Sequence, residues 1–96
     1  MILRYHPLVQ RDVSAILTHY EHISALVADG FWDEFMAAIK SIQENPTHHH
    51  FDASGLRRCN LHRFPYHILF RIAGGYIRVL TVRHHRRHPR RGTGRT

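Results

Sequence analysis

Histidine and arginine are the residues with the most chemistry to offer in this chain. Its 96 residues include eleven histidines, and thirteen of its fourteen basic residues are arginine. His67, His84, His85 and His88 fall in the C-terminal half, and an imidazole titrates near neutral pH, so each is suited to general acid–base work. The arginines around them present planar forks that match carboxylate or phosphate bidentately. His48, His49 and His50 form a different pattern. Three adjacent rings in a loop do not readily aim at one ion, and no cysteine or spaced carboxylate pair completes a site. No metal and no cofactor is therefore expected. Cys59 is the single cysteine, which excludes an internal disulfide. On a strand it alternates with Arg58 and Asn60, so it points inward with Leu61 as a buried thiol rather than a nucleophile.

Charge divides the chain in two. Residues 1–52 carry Arg4, Arg11 and Lys40 against all seven acids, a net of −4, whereas residues 53–96 carry eleven arginines and no acid. A solvated surface intersperses both signs, so a half this lopsided implies an anionic partner. No apolar run approaches the roughly 20 residues of a membrane span, and Met1–Pro7 lacks the apolar core of a signal. The expected setting is the cytoplasm, with no membrane contact.

The elements that position these residues follow from periodicity. Ile2 to Tyr5 predicts a short strand, ended by His6 and Pro7. Val9, Val13, Ile16, Leu17, Tyr20, Ile23 and Val27 recur in steps of three and four, one face of a helix that should fade near Ala28 with Asp29 and Gly30 as the break. Phe31, Trp32, Phe35, Met36, Ile39 and Ile42 mark a second helix, capped by Asp29 and closed by Pro46, with its aromatic stripe in the core. Residues 47–55 are a polar loop. Leu56–Phe64, Tyr66–Ala73 and Tyr76–Arg83 then read as three strands. The fold class is thus α+β: an N-terminal strand, an α-helical hairpin and a three-stranded antiparallel meander in one sheet. Residues 1–91 form one domain, and 92–96 are expected to be a flexible tail.

Gly74 and Gly75 suit a two-residue hairpin turn, which sets the register of the last two strands. Ile72 with Ile77, Phe70 with Val79, and Ile68 with Thr81 then face the helices. The other face carries Arg71 opposite Arg78, Leu69 opposite Leu80, and His67 opposite Val82. Like charges facing each other destabilise a sheet, and an apolar pair beside them is ill suited to free water. Leu69, Arg71, Arg78 and Leu80 are therefore expected to contact a partner that brings carboxylates and apolar side chains. The plainer alternative is that the chain's own tail or a symmetry mate covers Leu69 and Leu80.

These features together resemble the RelE/ParE toxin superfamily of type II toxin–antitoxin systems. The resemblance runs from about residue 5 to residue 91. It rests on Glu44-Asn45-Pro46 closing the second helix, on Arg63-Phe64-Pro65-Tyr66, on Phe70-Arg71-Ile72, on Ile77 with Val79-Leu80, and on His85-Arg86-Arg87 before Pro89. It implies a cognate antitoxin whose acidic and apolar C-terminal segment wraps the toxin, and a target that is either DNA gyrase or the ribosome with its mRNA.

The two branches differ in their residues. Arg58 stands where the mRNA-cleaving, RelE-like branch places a lysine, and Arg87 matches its C-terminal arginine. Asn60 replaces a second lysine, and His67 replaces an arginine. No tyrosine follows Tyr76, and His88 stands where the family usually has aspartate. Arg58, His67 and Arg87 are the catalytic candidates if the chain is a ribosome-dependent endoribonuclease. The substitutions together favour the ParE-like, non-nuclease side, with Arg63, Arg83, Arg86 and Arg87 expected to contact the target. A third reading is a non-catalytic, basic nucleic-acid-binding protein, which would bind with strong salt dependence.

Overall fold

The computed structural model describes residues 1–96. Strand β1 (Ile2–Tyr5) leads into helix α1 (Pro7–Glu21), whose first turn holds proline where no N–H is needed and is capped by the His6 ring accepting from Leu8 N–H at 3.1 Å. Helix α2 (Ala25–Glu44) follows after three residues. The break therefore falls at His22–Ser24 and not at Asp29–Gly30. Ser24 is extended, and its hydroxyl accepts from Leu26 N–H at 3.1 Å, so a serine cap ends the apolar run earlier than periodicity suggested. Gly30 lies inside α2, where an added Cβ would stand 3.1 Å from the Arg63 guanidinium. It makes room for packing rather than a break.

A short 3₁₀ turn at Pro46–His48 precedes β2 (Arg57–Asn60), β3 (Tyr66–Ala73) and β4 (Tyr76–His84). β2 is shorter than the run expected from Leu56 to Phe64. The sheet order is β1-β4-β3-β2, antiparallel except for β1, which pairs in parallel with Tyr76–Val79 of β4. Gly74 and Gly75 both have positive φ, as the tight hairpin requires.

Both helices cover one face of this sheet. Val9, Val13 and Ile16 of α1 and Phe31, Phe35, Ile39 and Ile42 of α2 pack with Cys59, Leu61, Ile68, Phe70, Ile77, Val79 and Val82. Phe31, Ile42, Ile68, Phe70, Ile77 and Val79 are wholly buried, and each such side chain stabilises by roughly 1.5–3 kcal/mol. Phe31 meets Phe64 and Tyr66 edge-on at 5.5 and 5.7 Å.

The aromatic stripe of α2 is only partly core. Trp32 is 43% exposed and Met36 41%, and both line an open cavity of about 640 Å³ with Tyr5 and Leu17. They sit about 100° around the helix from the Phe31–Phe35–Ile39 line, beyond the arc that meets the sheet. No helix is long and apolar enough to cross a membrane.

Candidate functional site

The hairpin register holds from the turn as far as Phe70 opposite Val79 and then slips by one. Arg71 faces Arg78 as expected, but Leu69 pairs with Thr81, Ile68 with Val82 and His67 with Arg83. β4 therefore carries one extra residue, Leu80, a β-bulge that turns Val82 into the core and Thr81 and Arg83 to the outer face. Asp12 of α1 holds the bulge in place, accepting from Val82 N–H and Thr81 Oγ1, each at 3.2 Å. That Val82 N–H belongs to the edge of β4 beyond the reach of β1, where an unpaired donor needs a partner.

The slip brings together residues that linear alternation would have kept apart. Arg83, only 6% exposed, donates from Nε to His67 Nε2 at 2.8 Å and lies 3.6 Å from the Asp52 carboxylate. Arg58 of β2 pairs with the other Asp52 oxygen at 3.1 Å and donates from Nε to Asn60 at 2.7 Å. His85 meets His67 edge to edge, the rings inclined by only 8° with centroids 5.1 Å apart and their Nδ1 atoms 2.9 Å apart.

A guanidinium can only donate, so these contacts assign the tautomers. His67 accepts at Nε2 and carries its proton on Nδ1, which it donates to His85 Nδ1. Arg58 also reaches His85 Nδ1, at 3.3 Å, leaving the His85 proton on Nε2. Both rings are neutral. Burial first, then the charges of Arg58 and Arg83, push His67 down to about 3. Burial first, then Arg58 and His84, lower His85 as well. Asp52 resists protonation despite burial, because hydrogen bonds from Ser54 and Arg58 and the Arg83 charge hold it down to about 2.

The residues after β4 run back along its outer face. Arg83 Nη1 donates to the carbonyls of Pro89 and Arg91 at 2.6 and 3.1 Å. Gly92 (φ +78°) presses so close to Thr81 that an added Cβ would stand 2.6 Å from that side chain. Arg95 grips Asp12 with both Nη atoms, at 2.6 and 3.1 Å, and donates to Leu80 O at 3.0 Å. Arg78 donates to Thr96 O at 3.1 Å. Residues 92–96, expected to be a flexible tail, thus lie against the sheet.

These contacts correct several expectations. Leu69 and Leu80, expected to be exposed, are 0% and 1% exposed and stand outside the helix-side core. Arg83, expected to reach a target, is buried within the cluster because the bulge turns it against His67 and Asp52. Arg63 lies elsewhere, with its side chain 70% exposed beside Glu34, which also accepts the backbone N–H groups of His62 and Arg63. Arg86 and Arg87 are exposed. Arg58 and His67 share the cluster, whereas Arg87 lines a cleft of about 620 Å³ against α1 together with Arg11 and Arg91.

Cys59 points inward as expected, and burial raises its thiol. His48, His49 and His50 line a separate cavity, where His49 meets Ser41 at 3.5 Å and the Phe70 ring. Asp12, Asp52 and Arg95 were not singled out from sequence. The one local signal was Asp52-x-Ser54, whose turn shows as Ser54 N–H donating to Asp52 at 3.0 Å.

Compared with known families, the chain matches over residues 3–89 the family described as ParE toxin of type II toxin-antitoxin system, parDE. The chain belongs to the ParE toxin family. The ParE fold is seen also in a solved structure, the chromosomal ParDE TA system from P. aeruginosa, at a TM-score of 0.76 and 23% identity, covering 88% of this chain and 95% of that one. Among curated proteins, none matches by sequence. Membership of the ParE family agrees with the resemblance drawn from Arg63–Tyr66, Phe70–Ile72 and the His85–Arg87 cluster, and with the α+β architecture expected.

Proposed function

We propose that this ParE-family chain is a growth-inhibiting toxin that acts on DNA gyrase or replication and is neutralised by a cognate antitoxin with an acidic, apolar C-terminal segment. The observation that carries the non-nuclease side is the state of His67. It is 1% exposed, neutral, and has both ring nitrogens engaged, so it offers no free base to a ribose hydroxyl. Arg58 is committed to Asp52. Aromatic platforms for nucleic acid are also lacking, since Tyr66 and Phe70 pack toward the helices. Exposed Arg63, Arg86 and Arg87 remain the candidates for contact with the target.

Pulse-labelling after induced expression without antitoxin tests the target. Thymidine incorporation should fall before methionine incorporation. The reverse order would favour the RelE-like ribosomal reading and make Arg58 and Arg87 the next residues to mutate.

The antitoxin surface is tested separately. Arg71 and Arg78 stand directly opposite each other, a like-charge pair that a carboxylate-bearing partner relieves. The double variant Arg71→Glu/Arg78→Glu should weaken antitoxin binding by about 100-fold while leaving the circular dichroism spectrum unchanged. Undiminished complex formation by the double variant would remove this surface from consideration.

A further inference from the structure

The outer face of the sheet already has an occupant, the chain's own residues 86–96. They run along β4 from Arg83 to Arg78, meeting the Thr81 side chain through Gly92 and the Leu80 carbonyl through Arg95, and Leu80, Thr81 and the neighbouring Leu69 of β3 are fully buried. Electrostatically this occupant is poor. It carries five arginines, Arg86, Arg87, Arg90, Arg91 and Arg95, and lies beside a sheet that already bears Arg58, Arg71, Arg78 and Arg83; of the five, Arg87, Arg91 and Arg95 line the cleft against α1. The carboxylates in ion-pair reach of these nine arginines are Asp12 and Asp52. The Nε of Arg71 is buried there with no hydrogen-bond partner. The segment holds on through backbone carbonyls, through the close fit of Gly92 on Thr81, and through one clasp, Arg95 on Asp12.

We propose that residues 86–96 are a resident strap on the partner-binding face, and that an acidic segment bearing aliphatic side chains binds by displacing it. The inference rests on the acidic-partner reading above and adds to it the place and the manner of binding. The incoming carboxylates neutralise Arg71, whose Nε the strap leaves without a partner, and compete for Arg78 with the strap's Thr96 O. Its aliphatic side chains take over the cover of Leu69 and Leu80. The strap's own arginines are released from a like-charged face into solvent, where their mutual repulsion falls. Partner affinity is then reduced by the fraction of molecules whose strap is docked.

Gly92 supplies the test, because a side chain there collides with Thr81 and demands a strained φ without altering charge. The probe is a short fluorescein-labelled peptide of alternating glutamate and leucine, titrated into the full-length wild type and Gly92→Leu. The variant is expected to bind about tenfold more tightly, as for a face released from a strap docked about nine-tenths of the time. Saturating peptide is expected to speed tryptic cleavage after Arg90 and Arg91 in the wild type.

Equal or weaker binding by Gly92→Leu, or slower cleavage in the presence of peptide, overturns the displacement. Equal binding by both proteins would still leave the acidic-partner reading standing, whereas binding by neither removes both. Should Gly92→Leu not fold, Arg95→Gln opens the clasp instead. A gain in affinity there supports the strap despite the lost positive charge, and no gain overturns it.

Discussion

Replacing Arg83 with alanine is expected to destabilise the protein by about 3–5 kcal/mol, the range seen when one partner of a buried ion pair is removed. Few side chains here serve so many neighbours. Its guanidinium balances Asp52, donates to His67 and ties down the carbonyls of Pro89 and Arg91. Alanine would leave a buried carboxylate with Arg58 as its one cation beside the Ser54 N–H, and a buried imidazole nitrogen without its donor, and each loss costs desolvation energy. The control is Arg63→Ala. Arg63 is also paired to a carboxylate, but its side chain is 70% exposed, so less than about 1 kcal/mol is expected. Urea denaturation of the two variants beside the wild type makes the comparison. Similar midpoints for the two would mean that the cluster is not a coupled network.

Acidification should destabilise the protein well before ordinary carboxylates titrate. Folding lowers His67 from its unfolded value near 6.5 to about 3, burial being the first cause and the charges of Arg58 and Arg83 the next. Between those values the unfolded chain takes up a proton that the folded chain refuses. The stabilisation is therefore fully present above about pH 6.5 and is lost as pH falls toward 3, with a slope of up to about 1.4 kcal/mol per pH unit. His85 and His49 are lowered too, burial again first, and steepen the upper part of the same limb. Asp52 acts with the same sign in a lower window, from 3.8 to about 2. His67→Gln keeps a carbonyl that can accept from Arg83 and removes the titration. Comparing urea midpoints at neutral pH and near pH 4.5, the wild type should lose far more than His67→Gln. A parallel loss in both would place the acid sensitivity elsewhere.

The way the site assembles explains which parts of it could be read in advance. Arg71 opposite Arg78 followed from Gly74-Gly75, because a two-residue turn sets the register of the pairs next to it. Farther along, the register depends on what happens at Leu80, and nothing in the alternation of Ile77 to Val82 marks that residue as the extra one. The bulge is held by Asp12, 69 residues away along the chain, through Thr81 and Val82. Asp52 was invisible for the same reason, since its partners Arg58 and Arg83 come from two different strands. The helix break was missed locally. Periodicity ran through Ile23 and Val27, but Ser24 caps α2 and leaves Ile23 at 63% exposed and Leu26 at 81%.

Sequence alone determined the class of the fold, the pairing of the last two strands near their turn, the inward thiol of Cys59 and the lopsided arginine charge, together with the family those residues indicate. Each depends on composition or on neighbours a few positions apart. Only the tertiary structure decided that His67 and Arg83 meet beside Asp52, that Asp12 holds the bulge from α1, and that Leu69 and Leu80 are buried while the C-terminal segment lies against Thr81. A single inserted residue reverses which side of a strand faces the core, and whether it is accommodated is settled by contacts between segments far apart in the chain.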